Sequence, residues 1–354
     1  MNFSLLVNME RFNPNKPYRE LFEELVELVQ IAEEGGFETV WFGEHHTIEF
    51  TISPNPLLLI SYLAARTRRI RLGTAILTAP YWHPIRLAGE AAMADIITEG
   101  RLELGIARGA YQYEFDRMAR ISQAEGAKYM NELVPAIQGL WAGDYSHDGE
   151  CYQFPTATSV PKPLQQPHPP LWIAARGAPT HDFAVVSGCN VMGTPLSKPD
   201  DEVQALAERF DGACADHPEV SRPQLMIARQ TVALEDPDDW RRPVDGFIEH
   251  GRHFENLFRN VGAVRNGFAE PASLAEVESR DDYDPETIHR NQMIGAPEEI
   301  IPRIQRYADW GVDQYCYQTD NGLPHADKKR SLKLFIREVM PAFQESRVQQ
   351  SRRG

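Results

Sequence analysis

The stretch GEHHTIEF, residues 43–50, closes an apolar run with an acid, two adjacent histidines and a second acid. Metal ligation, proton transfer and plain hydrogen bonding at a strand end all suit such a group. Adjacent residues on an extended strand point to opposite faces, so His45 and His46 would not readily share an ion. No H-E-x-x-H occurs, and no H-x-H marks the first apolar strand, so no metal is expected. An imidazole, with a reference pKa of about 6.5, is well placed to relay protons near neutrality. A histidine on a loop can equally be a structural hydrogen-bonding group. Two other stretches carry anion chemistry. Ala107-Arg108-Gly109-Ala110-Tyr111 offers a planar fork of donors beside a glycine that permits close backbone approach. Arg176-Gly177-Ala178-Pro179-Thr180 joins an arginine to a glycine turn that opens a helix, where free N–H groups and the dipole favour an anion. Each arginine alone could be an ordinary surface ion pair; the two loops together favour phosphate.

These groups need elements to place them. Residues 17–34 set Leu21, Leu25, Leu28, Val29 and Ala32 on one helical stripe, with Pro17 suited to the first helical position and Gly35-Gly36 to the C-terminal cap. A strand, FETVWFG, follows. The same joint of helix end, glycine, apolar residue, polar residue and strand recurs in EEGGFETVWF (33–42), VVSGCNVMG (185–193) and DWGVDQYCYQ (309–318). Such repetition marks stacked βα units. Further strands are expected at 2–7, 70–77, 102–107, 171–175 and 225–233, which makes eight. Helices are expected at 85–98, 122–141, 180–187, 199–214 and 327–343.

The pattern predicts an α/β chain forming one (β/α)8 TIM barrel over 1–354. A doubly wound sheet competes, but no G-x-G-x-x-G follows a strand. The Pro-dense run 155–172 is expected as a surface connection, and residues about 236–295 as a helical insertion between strands seven and eight. Barrel chemistry stands on the loops after the strands. That rule brings GEHH, ARGAY and RGAPT to one end. Arg108 at the end of strand four stands where a paired-carboxylate glycosidase would need an acid.

Composition narrows the partners. Among 354 residues, 36 basic against 51 acidic side chains leave a charge of −15, which repels nucleic acid. An anionic cofactor then needs a local positive cluster. No apolar run reaches the ~20 residues of a membrane helix, and the first residues carry no basic leader, so no membrane and no secretory signal are expected. Cys151, Cys189, Cys214 and Cys316 lie far apart without ligand spacing, and read as free thiols in a reducing cytoplasm.

GEHHTIEF…PNPLLL, RIRLGTAILTAPYWHPIRLAGEAAMADIITEGRLELGIARGAYQYEF, LWIAARGAPT and MIGAPEEIIPRIQRYADWGVDQYCY together resemble the bacterial luciferase-like, flavin-dependent monooxygenases. The match runs almost end to end and is weakest over 236–295. The resemblance implies a barrel that binds reduced FMN at the C-terminal ends of its strands. It implies oxygenation of a small organic substrate by O2 through a flavin C4a-hydroperoxide, with a separate flavin reductase supplying reduced FMN. It places His45 beside the reactive edge of the flavin as a catalytic group, with Glu44 orienting it. It puts a non-proline cis peptide at Ala75-Ile76 beneath the ring, and a cofactor site over Arg108, Tyr111, Arg176, Gly177, Ala178 and Thr180. Luciferase itself has an acid and a serine where this chain has Arg176-Gly177, which makes the present site more basic. His46 is expected to be structural. Trp41, Trp82, His83, Tyr111 and Tyr113 stand near strand ends and could line a cavity. A homodimer is expected. Two alternatives are a deazaflavin-dependent oxidoreductase and a catalytically silent flavin-binding subunit; retention of His45 argues against silence. The substrate is not legible.

Overall fold

The computed structural model describes residues 1–260 and 262–343; the polar end ESRVQQSRRG lies outside the described residues. Eight parallel strands form a closed ring: β1 (Asn2–Leu6), β2 (Thr39–Phe42), β3 (Arg71–Thr74), β4 (Leu102–Ala107), β5 (Leu171–Ala174), β6 (Asn190–Gly193), β7 (Leu225–Ala233) and β8 (Gln314–Gln318). Each pairs with the next, and β8 closes on β1 with Gln314 opposite Asn2. All eight predicted strands are present, because strands buried on both faces read as continuous apolar runs.

The helices are α1 (Tyr18–Glu34), α2 (Pro56–Ala64), α3 (Pro84–Ile97), α4 (Gln112–Met118), α5 (Gly126–Ala142), α6 (Ala178–Val186), α7 (Asp200–Asp216), α8 (Arg241–Arg259), α9 (Leu274–Glu278), α10 (Pro285–Asn291), α11 (Pro297–Asp309) and α12 (His325–Leu334). The predicted stripe of α1 is the face it buries, and Pro17 sits one position earlier than expected, at the N-cap. The Pro-dense connection is not wholly irregular: it begins in a two-stranded antiparallel ribbon, Tyr145–Asp148 with Gln153–Ala157.

Strand three is shorter than the expected 70–77. The ladder stops at Thr74, the Ala75–Ile76 peptide bond is cis, and Leu77–Thr78 then pairs with the end of β4. The barrel interior is a small core of its own, with Leu6, Trp41, Trp172, Met192, Met226 and Cys316. Trp41 meets Trp172 edge to face at 5.4 Å and crosses Gly73, where a Cβ would lie 2.2 Å from the indole. Ala75, Ile76 and Ala174 pack on top of this plug, half-buried, and give the C-terminal mouth an apolar floor.

Between β7 and α11 the chain builds more than helices. A 3-10 turn leads into α8, then come a short hairpin (Val264–Arg265 with Phe268–Ala269), α9 and α10. Met293–Gly295 then runs parallel to the end of β7, with Met293 opposite Thr231. Phe247 of α8 packs with Val232 and Ile294, and Leu257 packs with Ile48 and Tyr111. Burying each such side chain stabilises the cover by about 1.5–3 kcal/mol.

Candidate active site

The turn after β2 is fixed before its side chains act. The Glu44 amide donates to the Ile76 carbonyl at 3.0 Å, and the His45 amide donates to the Ser53 carbonyl at 3.1 Å. Glu44 is buried, and its contacts are not with His45. One carboxylate oxygen lies 2.8 Å from His46 Nε2, while the other accepts from the Thr78 amide at 2.7 Å and from Trp82 Nε1 at 2.9 Å. His46 also meets Tyr81 edge-on. The orienting role expected of Glu44 therefore falls on His46.

The carboxylate that holds His45 is Glu114, in the first turn of α4. Its Oε2 stands 3.1 Å from His45 Nδ1, and its Oε1 accepts the His46 amide. His45 also stacks on Tyr111, ring centroids 4.9 Å apart. Burial alone would push the His45 imidazole towards its neutral form, but the charge and hydrogen bond of Glu114 outweigh it and leave the pKa raised. A carboxylate accepts, so Nδ1 carries the hydrogen and Nε2 is left to exchange protons. Burial, then the Glu114 charge, push the Tyr111 phenol well above its usual range, so its hydroxyl stays protonated. Glu114 escaped sequence reading. Its only signal in the sequence was being an acid shortly after strand four, at the end of the barrel where the histidine pair was expected.

The anion-binding candidates stand on neighbouring strand ends, since β4 and β5 pair. Arg108 and Arg176 are both exposed. Neither side chain has a hydrogen bond or ion pair among the described residues. Gly109 has φ +90°, and a Cβ there would lie 2.7 Å from both Phe115 and Thr78. The start of α6 offers fewer donors than the sequence suggested. Pro179 has no N–H and the Thr180 amide is taken by the Gly177 carbonyl, leaving the amides of Gly177 and Ala178 and the Thr180 hydroxyl.

A cavity of about 510 Å³ opens over the ends of β1, β6, β7 and β8, roofed by α8. Its aromatic walls are Phe50, Tyr111, Phe247, Phe254, Phe258 and Tyr283. Tyr111 is thus the wall shared with His45. Of the other aromatics singled out in the sequence, Trp41 fills the barrel, Trp82 serves Glu44, His83 caps α3, and Tyr113 lies under the Arg117 guanidinium. Beneath the cavity lies a charged cluster with no sequence motif. Glu10 binds Lys328 at 2.9 Å and His250 of α8, and Asp320 accepts from the Asn8 amide and side chain at 2.9 and 2.7 Å. Burial and then the Glu10 charge raise the Asp320 pKa to about 7. No group of three acidic, histidine or cysteine side chains among the described residues could hold a metal ion.

A closed parallel barrel with this mouth is shared by a known group of enzymes, and the chain belongs to the luciferase-like monooxygenase family, whose model matches residues 1–314. It is a flavin-dependent monooxygenase. It is 45% identical to the oxygenase component of the flavin-dependent trigonelline monooxygenase of Acinetobacter baylyi, over 98% of this chain and 97% of that protein. It is 25% identical to the alkanal monooxygenase alpha chain of the Kryptophanaron alfredi symbiont, over 94% and 96% of the two chains. Among solved structures, monooxygenase RslO1 from Streptomyces bottropensis superposes with a TM-score of 0.79 at 27% identity, covering 97% of this chain and 100% of that one.

Proposed function

We propose that the chain is the oxygenase half of a two-component system. It takes reduced FMN from a separate reductase and oxygenates a small N-heteroaromatic acid of the N-methylpyridinium carboxylate class. The observation that carries this reading is the part-buried His45–Glu114 pair sharing the Tyr111 wall with an aromatic cavity. The substrate class is supported by 45% identity to an enzyme named for trigonelline.

The residues fit FMN. Arg108 and Arg176, uncommitted on adjacent strand ends, and the amides of Gly177 and Ala178 suit a phosphate. The floor of Ala75, Ile76 and Ala174 suits a flat ring system. Reduced flavin, when bound, supplies the electrons that activate O2. The chain does the rest. Arg108, Arg176 and the α6 start anchor the phosphate; Tyr111 and α8 keep water from the substrate; Glu114 fixes the His45 tautomer; His45 Nε2 gives and takes the proton that oxygen transfer requires. Glu44 acts at one remove, by holding His46 and the start of the Thr78 turn.

Among the described residues no helix is long and apolar enough to cross a membrane. On this reading the chain works in the cytoplasm, beside the reductase, which its four free cysteines suit. The chain works as a homodimer on this reading, which the exposed Leu58, Met93, Ile96 and Ile97 of the neighbouring helices α2 and α3 support. Leu58→Glu with Ile96→Glu is then expected to sediment as a monomer.

The deciding experiment supplies reduced FMN from an unrelated reductase, N-methylnicotinate and ¹⁸O2. The product is expected to carry the label. Flavin oxidation that yields only hydrogen peroxide, across a panel of small aromatic and aliphatic compounds, would overturn the reading.

A further inference from the structure

This inference rests on the reading that the cavity under α8 takes the organic substrate. The carboxamides of its polar lining are turned one way. Gln230 Nε2 donates to the Asp320 carbonyl at 2.9 Å, and Gln292 Nε2 donates to the Leu196 carbonyl at 3.2 Å. A backbone carbonyl only accepts, so each amide nitrogen must face it and each amide oxygen must face away. Asn8 and Gln318 likewise spend their NH2 groups on the Asp320 carboxylate. Gln292 is only 7% exposed, and its Oε1 has no hydrogen-bond partner among the described residues. It lies next to Gln230, since the parallel register puts Met293 opposite Thr231 and hence Gln292 opposite Gln230.

The charged donors of the same lining are already committed. Arg280 is held by Glu255 at 2.6 Å and by both oxygens of Asp282, and Arg259 is held by Glu276 at 2.9 Å. Tyr283 donates its hydroxyl to Glu255. Towards the cavity this leaves the carboxamide groups of Gln230 and Gln292 beside the faces of Phe247, Phe254 and Tyr283, with the hydroxyls of Tyr111, Thr194 and Ser197 elsewhere in the lining. Amide oxygens and π faces both attract positive charge, including the polarised C–H edges of an aromatic cation. Neither offers anything to an anionic or electron-rich ring.

We propose that Gln230 and Gln292 form an acceptor subsite that selects a positively charged N-heteroaromatic ring, N-alkylated or N-protonated, over its neutral carbon isostere. They are specificity residues, separate from the His45–Glu114 pair and from the phosphate-binding arginines.

The test compares N-methylnicotinate with 3-methylbenzoate, which has the same outline and carboxylate but an uncharged ring. The full chain, loaded with reduced FMN under strict anaerobiosis, is titrated with each by calorimetry. The native protein is expected to bind the cationic ring at least tenfold more tightly. Gln292→Met, close in shape but without the acceptor, should cut that preference roughly tenfold while leaving 3-methylbenzoate unchanged. Gln230→Met should act in the same direction, and Gln292→Glu should restore or enlarge the preference. Circular dichroism and thermal unfolding select the variants that fold. Equal binding of the two ligands by native protein, no binding of either, or an undiminished preference in both folded methionine variants would overturn the proposal. Because oxygen is excluded, binding is read apart from turnover. A protein that prefers the cation but never oxygenates it refutes the functional reading and leaves the subsite standing. One that binds and oxygenates 3-methylbenzoate in preference refutes the subsite and the substrate class together, and leaves only the two-component oxygenase reading standing.

Discussion

Replacing Glu114 by glutamine changes few atoms, yet it should disable His45. In the native site Oε1 accepts the His46 amide and Oε2 stands 3.1 Å from His45 Nδ1. The His46 amide is a donor, so the glutamine must keep its oxygen there and turn its NH2 towards His45. That NH2 can only donate, so Nδ1 must become the bare nitrogen and the proton moves to Nε2, the wrong tautomer for a base. Loss of a charged hydrogen bond costs about 1.5–3 kcal/mol, or about 10- to 150-fold at about 1.4 kcal/mol per decade. The misplaced proton adds to this, towards the full general acid–base contribution of about 100- to 10,000-fold. The assay is product formed per reduced flavin oxidised, with hydrogen peroxide collected as the complement. Glu114→Gln and His45→Ala should each still bind reduced FMN and consume oxygen while losing product, and the double variant should be no worse than His45→Ala. The native pKa of His45 is held up by Glu114 against burial, so in Glu114→Gln any pH limb set by protonated His45 should move to lower pH. His46→Ala should act mainly on stability. Full coupling in Glu114→Gln, or losses that multiply in the double variant, would refute the pairing.

Three further outcomes follow from the geometry. Arg108→Ala should weaken reduced-FMN binding about tenfold or more while sparing the fold, since the side chain has no partner within the chain; riboflavin binding should not change, and a native protein that binds FMN and riboflavin equally would remove phosphate from this loop. Residues 236–295 should close over the mouth, with hydrogen exchange in α8 slowed by reduced FMN and substrate; unchanged exchange would make this segment a fixed outer cover. Glu10 titrates at about 2, because Lys328 and His250 outweigh the burial that would raise it. An unfolded glutamate titrates at about 4.3, so this group's contribution is complete above that pH and is lost as pH falls towards about 2. Urea melts of Glu10→Gln should therefore show a shallower acid dependence between those limits, and identical slopes would place the cluster outside the stability account.

The eight strands were legible because each is a short apolar run, and three of them also follow a joint of fixed composition. Helix α4 was not, since QYEFDRM is seven residues with no clean stripe. Missing it hid Glu114 as well, which lies 69 residues from the histidine it holds. The pairing of Glu10 with His250 spans 240 residues and Asn8 with Asp320 spans 312, so no local pattern announces either. The break in β3 at Ala75–Ile76 reads in sequence as continuous strand. Local periodicity specifies elements, and the ring closure of β8 on β1 decides which distant polar groups meet.

One short segment then concentrates much of the chemistry. Between Arg108 and Glu114 the chain supplies a free guanidinium, the Tyr111 wall and the carboxylate that sets the His45 tautomer. Their order along the chain maps onto their order in space only because the backbone turns sharply at Gly109, with φ +90° and no room for a Cβ against Phe115 and Thr78. Thr78 is also the residue whose amide Glu44 accepts. The glycine therefore ties the loop after β4 to the turn after β3, and through Glu44 to the histidine pair after β2. The mouth of the barrel acts as one positioned unit, although its three loops are separate in sequence.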